Sequence, residues 1–489
     1  MSHLIIQKVN EVYLKIETEP HVEHELRDRF TFEVEGAKFM PQYRRRHWNG
    51  EIHLFDMRTK RIYVGLLDKI IAFCEQAGYT YEFLDNKFYG LPFEVNEMIS
   101  KEGVKDYMKS LTGPDIKPRD YQIDAVYDAL RYNRKLLISP TASGKSFMIY
   151  SVVRFHVGMK RKVLLVVPTT SLVEQMYKDF ESYGWDAQNH CHRIYAGRER
   201  VNTNEVTITT WQSVYQLDRS FFEEYDVIIG DEAHLFKSKS LISIMDKLHH
   251  AKYRYGFTGT LDGTQTHKWV LEGLFGPSYK VTQTKKLQDE GHLAKLDIQC
   301  IVLKYRPQKF DVFEDEIQFL IGHPTRNKFI TNLAVDLKGN TLILYARVEA
   351  HGAILYDEIN NRVEEDRKVF FIHGGVDAED REEVRRITEE ENNAIIVASY
   401  GTFSTGINIK NLHNVIFASP SKSRIRNLQS IGRVLRKGKN KVKAKLYDIA
   451  DDTTINSRKN YTLNHFIERV KIYNQEQFNY DISTINIKE

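Results

Sequence analysis

A chain of 489 residues is too long for one hydrophobic core and suits about three domains. Its composition, 42% hydrophobic and 28% charged with only 11 prolines, excludes a low-complexity or disordered chain. The net charge of +4 permits a nucleic-acid partner without demanding one, so any basic surface is local. Cys74, Cys191 and Cys300 are scattered and odd in number, which gives neither a disulfide framework nor a metal cluster and fits a reducing cytoplasm. They are expected to pack. The apolar runs are far too short to span a membrane, and the opening MSHLIIQKVNEVYLKI is charged throughout, unlike a signal peptide.

In chain order, residues 1–112 mix strand-like alternation at 12–18, 51–55 and 79–83 with a helical stretch at 64–76. This predicts a small accessory α+β domain. Within it, Arg44, Arg45 and Arg46 stand beside His47 and Trp48, cations next to a ring, as a nucleic-acid contact needs. A solvated charge run with Trp48 anchored in the core is the competing reading. From about residue 113, short Val/Ile/Leu runs alternate with helical patterns. They fall at 135–139, 162–167, 206–209, 227–230 and 253–257, then at 341–345, 368–372, 394–399, 415–418 and 444–447. Runs apolar throughout mark strands buried on both faces, hence parallel sheets flanked by helices. Two series predict two α/β lobes, 113–283 and 284–455, divided near Gly276-Pro277. Residues 456–489 are predicted as a helical tail, with helical spacing at 463–478 that packs it on the second lobe.

The first chemical signal is SPTASGKS, 139–146, between a strand and a helix. Thr141, Ala142, Ser143 and Gly144 would form a small-residue loop around phosphate oxygens. Lys145, read as an exposed loop residue, would reach the β- and γ-phosphates, and Ser146 would hold Mg²⁺. Ser139 stands where the usual pattern has its first Gly. A bare GKS also occurs as a capping turn; the strand–loop–helix setting favours phosphate. The strand at 227–230 runs into Asp231-Glu232-Ala233-His234. Carboxylates at the carboxyl end of a buried strand sit where α/β sheets bind ligands. Asp231 would hold the metal and Glu232 would deprotonate the attacking water.

These two motifs, in this order, resemble motifs I and II of superfamily 2 helicases, and the fold that this implies is two tandem RecA-like lobes. Other segments then take family roles. RDYQ resembles the adenine-reading element, with Arg119 and Gln122 on the base. VVPTTSLVEQ resembles motif Ia and TTWQS the next backbone-facing element, which implies nucleic-acid contact by Thr169, Thr170, Thr210, Trp211 and Gln212. FTGTL resembles motif III, so Thr258 and Thr260, with His234, would couple hydrolysis to movement. TLILYARVEAHG, HGG and SYGTFSTGINIK resemble motif IV, a backbone loop and motif V, implying contacts by Arg347, Gly374 and Ser399 and nucleotide contact by Gly406 and Asn408. Many relatives carry an acidic residue where Asn408 stands. QSIGRVLR resembles motif VI; Gln429, Arg433 and Arg436 would act on the transferring phosphoryl group, the arginines three apart on one helical face.

HELRDRFTF (24–32) and WNGEIHLFD (48–56) in the front domain, with VASYGTFSTGI and IGRVLRK, extend the resemblance to the phage UvsW-type recombination helicases. That implies an ATP- and Mg²⁺-dependent motor, monomeric and in the host-cell cytoplasm. Its substrates would be branched DNA and single-strand/duplex junctions, with RNA–DNA hybrids among them. Branch migration, fork regression and dissociation of D-loops and R-loops would be its work, with 3′-to-5′ movement by analogy. A duplex-pumping restriction motor, an RNA helicase and a non-translocating ATP-switched clamp stay open from the residues alone. Because both lobes together would hold the nucleotide, the front domain is expected to be removable without loss of hydrolysis.

Overall fold

The computed structural model describes residues 2–34, 36–84, 95–113, 116–195, 204–406, 409–421, 423–436, 441 and 443–487. By its internal contacts the chain forms two units: residues 1–139 with 143–281, and residues 282–489 with the loop segment 140–142.

The first unit begins with the front domain. Strands β1 (His3–Lys8), β2 (Tyr13–Glu17), β3 (Thr31–Glu33), β4 (Glu51–His53), β5 (Arg61–Tyr63) and β6 (Thr80–Phe83) make a mixed sheet in the order β5-β2-β1-β6 and a separate β3–β4 pair. In β1 every second side chain is buried, the pattern of a strand with one covered face. The predicted helix forms as Leu67–Ala77, and Gly78 stops it at φ +71.

The first lobe follows: β7 (Arg134–Ile138), β8 (Val163–Val167), β9 (Cys191–Ile194), β10 (Val206–Thr210), β11 (Val227–Asp231), β12 (Tyr253–Thr258) and β13 (Ser278–Lys280). They form a parallel sheet in the order β13-β7-β12-β11-β8-β10-β9. All five residues of β8 and of β11 are buried, the pattern of strands covered on both faces. The edge strands β9 and β13 escaped prediction because they are short and carry polar residues.

The front domain is not a loosely attached module. One hydrophobic core runs without a break from Leu4 and Phe30 to Trp269 and Phe275 of the first lobe. Trp269 packs against Phe30 and Phe32, ring centroids 5.4 and 5.1 Å apart. A Cβ on Gly65 would lie 2.1 Å from the Glu272 carbonyl oxygen, so only glycine allows the two backbones to meet there. Lys69 reaches Glu272 at 3.1 Å. Loss of the front domain would therefore strip a large apolar face from the helix Gln265–Phe275.

The second unit holds β14 (Lys295–Lys304), β15 (Thr341–Tyr345), β16 (Val369–Ile372), β17 (Ile395–Ser399), β18 (Asn414–Phe417), β19 (Lys443–Asp452) and β20 (Asn479–Asn486). Their parallel order is β16-β17-β15-β18-β19-β14-β20. The ten-residue β14 was missed because Lys295, Asp297 and Gln299 break its apolar run. The last segment is not simply a helical tail. The helix Tyr461–Gln475 is followed by β20, which adds a parallel edge strand to β14. The buried Glu316 carboxylate accepts hydrogen bonds from the backbone N–H groups of Tyr461 (2.8 Å) and Thr462 (2.8 Å), fixing that helix's N-terminus to the lobe. Cys74, Cys191 and Cys300 are buried and unbridged. Among the described residues no helix is long and apolar enough to cross a membrane.

Candidate nucleotide site and nucleic-acid-facing loops

The loop after β7 is braced by serines. Ser139, fully buried, donates its N–H to the Thr258 carbonyl (2.7 Å), and its Oγ lies 2.5 Å from Ser143 Oγ. The serine in place of the usual glycine thus ties the loop across itself. Ala142 (φ +66) and Gly144 (φ +81) adopt left-handed backbone, and the helix Lys145–Gly158 starts immediately after. Left-handed residues leading into a helix N-terminus make an anion-binding cradle. Gln122, expected on an adenine, is a strut for this loop. Its Nε2 donates to the Ser143 carbonyl (2.8 Å), as does the Tyr121 hydroxyl (3.1 Å), while its Oε1 accepts from the Arg119 N–H (2.9 Å). Arg119 itself donates to the Tyr121 hydroxyl (2.7 Å).

Lys145 is the first residue of its helix, with its side chain four-fifths buried, not an exposed loop residue. Its Nζ lies 2.8 Å from Asp231 Oδ1 and 2.6 Å from Glu232 Oε1. Ser146 is half-buried beside it in the first turn. Burial pushes the Glu232 carboxyl up, but the Lys145 ammonium and His234 outweigh it and hold the group well below the usual carboxylate range. At Asp231 burial wins over Lys145, and the neighbouring Glu232 charge adds to it, so its carboxyl is raised. Glu232 sits in left-handed backbone (φ +49), a conformation rare for a side-chain-bearing residue, and its buried Oε2 faces His234 Nδ1 at 3.3 Å. With Lys145 and His234 against it this carboxylate is ionised but weakly basic, and it would gain basicity only as the ammonium moves away. The cradle, the ammonium and this acceptor fit a magnesium–nucleoside triphosphate.

The expected coupling residues connect. His234 Nδ1 lies 3.3 Å from Glu232 Oε2 and 3.0 Å from Thr258 Oγ1, and the Thr258 hydroxyl donates to the Thr260 carbonyl (3.0 Å). Since that hydroxyl proton is committed to Thr260, His234 Nδ1 is the donor to Thr258. The sequence reading missed the next link. His267 Nε2 lies 2.9 Å from the His234 carbonyl, and its Nδ1 is 2.9 Å from Asp262 Oδ2. Burial raises the Asp262 carboxyl, but His267, the Thr264 N–H and Lys237 together depress it strongly. The available signal was D-x-T, an Asp whose side chain accepts from the backbone two residues on, just ahead of a helix.

Thr169 caps the helix Thr170–Ser182 after β8, its hydroxyl accepting from Leu172 N–H (3.4 Å), and Thr170 is exposed. After the neighbouring β10, Thr210 is buried and its Oγ1 lies 2.9 Å from Ser213 Oγ, so its hydroxyl faces inward. Trp211 is half-buried against Tyr215, and Gln212 is exposed. The parallel β8–β10 pairing brings these two loops side by side at the carboxyl edge. Arg44, Arg45 and Arg46 are exposed, with Arg46 at φ +57; Trp48 is half-buried, its Nε1 donating to the Glu51 carbonyl (2.7 Å).

In the second unit, Arg347 is exposed but engaged, with Glu314 Oε2 2.7 Å away. Gly374 is exposed, and its carbonyl accepts from Arg381 Nη2 (3.3 Å). Ser399 Oγ accepts from the Thr402 N–H (3.2 Å), capping the helix Tyr400–Gly406 that Gly406 ends. Asn408 lies outside the described residues. Gln429 and Arg433 lie in the helix Arg424–Val434, and the Arg433 guanidinium stands 5.9 Å from the Phe403 ring centroid. Arg436 is not on that helix face. The helix ends at Val434, and Arg436 follows in the turn, its N–H donating to the Arg433 carbonyl (3.4 Å).

Two parallel-sheet lobes of RecA-like fold, the first with a left-handed loop leading into a helix whose Lys145 is bound by an Asp-Glu pair, define a tandem-lobe motor of the superfamily 2 helicase class. Residues 6–84 match the family described as DNA helicase UvsW, N-terminal; 115–263 match the res subunit of type III restriction enzymes; 325–438 match the helicase conserved C-terminal domain. The ATP-dependent DNA helicase uvsW of Enterobacteria phage T4 is 33% identical over 97% of this chain and 98% of its own length. The crystal structure of T4 UvsW superposes with a TM-score of 0.52, at 32% identity and 99% coverage of both chains. The DNA 3'-5' translocase XPB2 of Sulfurisphaera tokodaii is 23% identical over 73% of this chain and 87% of its own. The chain belongs to the UvsW family of ATP-dependent DNA helicases.

Proposed function

We propose that this protein is an ATP-dependent DNA helicase that remodels branched DNA, driving branch migration, fork regression and dissociation of D-loops and R-loops. The observation that carries the chemistry is the Lys145–Asp231–Glu232 cluster and its continuation through His234 to Thr258 and Thr260. Family membership over nearly the whole chain carries the DNA substrate. In this reading the cradle 141–146 holds the triphosphate, and Ser146 and Asp231 hold Mg²⁺. The metal supplies charge neutralisation at the phosphates. Lys145 turns from the two carboxylates to phosphate oxygens, which leaves Glu232 free to take a proton from water. His234 reports that change to the Thr258–Thr260 turn. Gln429, Arg433 and Arg436 stabilise the transferring phosphoryl group. Thr170, Trp211, Gln212, Gly374 and Ser399 contact backbone rather than bases, so sequence matters little. Arg347 joins them by leaving Glu314.

The test is strand displacement by the intact chain with Mg·ATP, on single strands, duplexes, forks, mobile four-way junctions and R-loops. Junction migration and R-loop dissociation with poorer unwinding of long linear duplex is the expected pattern. DNA-stimulated hydrolysis with no displacement on any substrate would replace this reading with a duplex pump or a clamp.

A further inference from the structure

A second basic site lies at the opposite end of the first lobe's strands. A cavity of about 510 Å³ opens where the β1–β2 turn meets the start of β12, and Lys8, Glu11, Arg219, His249, His250 and Lys252 line it. Lys252 precedes β12 and Thr258 ends it, so roughly 20 Å of strand separates this cavity from the coupling threonine. It is not part of the nucleotide cradle.

The wall is built, not a scatter of surface lysines. Lys8 is 3% exposed, and Arg134 and Arg254 behind it are 2% and 1% exposed. Glu11 already serves the interior: Oε1 accepts from Lys8 Nζ (2.7 Å), and Oε2 accepts from Arg134 Nη2 (2.5 Å). Arg254 donates to the backbone carbonyls of Leu248 and Ala251 at 2.5 and 3.0 Å. Arg219 is half-exposed at the rim with Glu223 at 3.2 Å. The cations are thus Lys8, Arg134, Arg219, Lys252 and Arg254, and the carboxylates facing them are Glu11, Glu223 and Asp246. Burial and the neighbouring arginine push Lys8 down to about 8 and Arg254 down to about 9, so these cations disfavour one another as they stand. Burial also lowers His249, which adds no charge near neutrality.

The geometry points to a phosphate-binding site in this cavity, separate from the nucleotide cradle and shared between the front domain and the first lobe. A phosphate oxygen would meet Lys252 and Arg219 at the mouth and feel the buried cations behind, where low dielectric strengthens the attraction. Because both domains contribute, an occupied site would also tighten the seam. Either a phosphodiester of a DNA arm or a free polyphosphate carries this chemistry. The first source rests on the DNA-helicase reading; the second does not.

The experiment uses the full chain and the pair Arg219→Glu/Lys252→Glu, neither residue being in the nucleotide machinery. Fork-DNA affinity is measured against salt. Thermal stabilisation by inorganic pyrophosphate is measured in chains also carrying Lys145→Ala, which silences the cradle. If a DNA arm is the source, the slope of log K against log salt falls by about two in the pair variant. If free polyphosphate is the source, the slope is unchanged and stabilisation by pyrophosphate is lost. Unchanged slope together with unchanged stabilisation overturns the site. If the glutamate pair lowers the melting temperature without ligand, Arg219→Gln/Lys252→Gln decides by the same two readouts. DNA-free ATP hydrolysis is expected to be unaltered in the pair variants that keep Lys145. A wild type that moves no strand defeats the helicase reading but leaves the pyrophosphate readout intact.

Discussion

The two lobes each keep buried charge at their sheets, and they do so differently. In the first, Lys145 bridges Asp231 and Glu232 at the strand ends, with side chains 20%, 6% and 25% exposed, and the second Glu232 oxygen has only the long 3.3 Å approach of His234 Nδ1. In the second, Arg326 grips Asp451 with Nε and Nη2 at 2.8 and 3.0 Å, and Arg469 grips Asp448 with Nε and Nη2 at 2.9 and 2.7 Å, all fully buried. Tyr305 and Tyr473 hydroxyls donate to the same carboxylates at 2.8 Å, and Ala418 and Ser421 carbonyls take further arginine protons. A planar arginine fork saturates a carboxylate and stays; a lysine point charge shared by two carboxylates can be exchanged for phosphate. Ion-pair chemistry alone therefore does not separate structure from function. Access, and whether the lone pairs are already satisfied, does.

The sharpest test of that contrast is Lys145→Ala. ATP turnover should vanish while the protein keeps its cooperative unfolding. The pH profile should change as well. In the wild type the depressed Glu232 contributes stability above its unfolded value of about 4.3, lost as pH falls through the folded value. Without the ammonium, burial dominates at both carboxylates, so the variant should gain stability relative to wild type on acidification from pH 7 to 5. A variant that simply unfolds would place Lys145 with the structural pairs. Next, Arg433→Ala should lower kcat by about 10³ with ATP binding retained, read by single-turnover hydrolysis and equilibrium binding. Normal turnover there would remove the finger role.

Asp448→Ala probes the other side. It leaves Arg469 buried without its carboxylate and should cost about 3–5 kcal/mol in denaturant unfolding. A loss below about 1 kcal/mol would mean that the second lobe's pairs are as exchangeable as the first's. Smaller again is Gly65→Ala, whose Cβ meets the Glu272 carbonyl at 2.1 Å. It should cost about 1–3 kcal/mol and raise proteolysis at the front domain's seam. An unaffected melting profile would restore the picture of a detachable module. The mildest is Arg44→Glu/Arg45→Glu/Arg46→Glu: these exposed residues should alter the salt slope and junction preference of DNA binding and leave stability within about 0.5 kcal/mol.

Much of this was legible beforehand. The runs at 162–167 and 227–230 read as doubly buried strands because short Val/Ile/Leu-rich runs bounded by turn residues suit a parallel sheet covered on both faces. Lys145, Asp231 and Glu232 were placed by local order of strand, loop and helix. What could not be read were relations across distance. Gln122 is a loop strut because Ser143 comes back to meet it, and His267 joins the hydrogen-bonded chain from Glu232 because its helix lies against His234.

The amino-acid sequence by itself determined the class of fold, the small-residue loop between β7 and its helix and the membership of the family, since each depends on short-range pattern: periodicity, turn chemistry and contiguous motifs. Only the tertiary structure decided three further matters. It joined the front domain to the first lobe through Trp269 and Gly65, it placed β20 beside β14, and it gathered Lys8, Arg219 and Lys252 around one cavity. The reason is physical. Burial, desolvation and hydrogen-bond satisfaction belong to atoms brought together from far along the chain, and no local spacing encodes them.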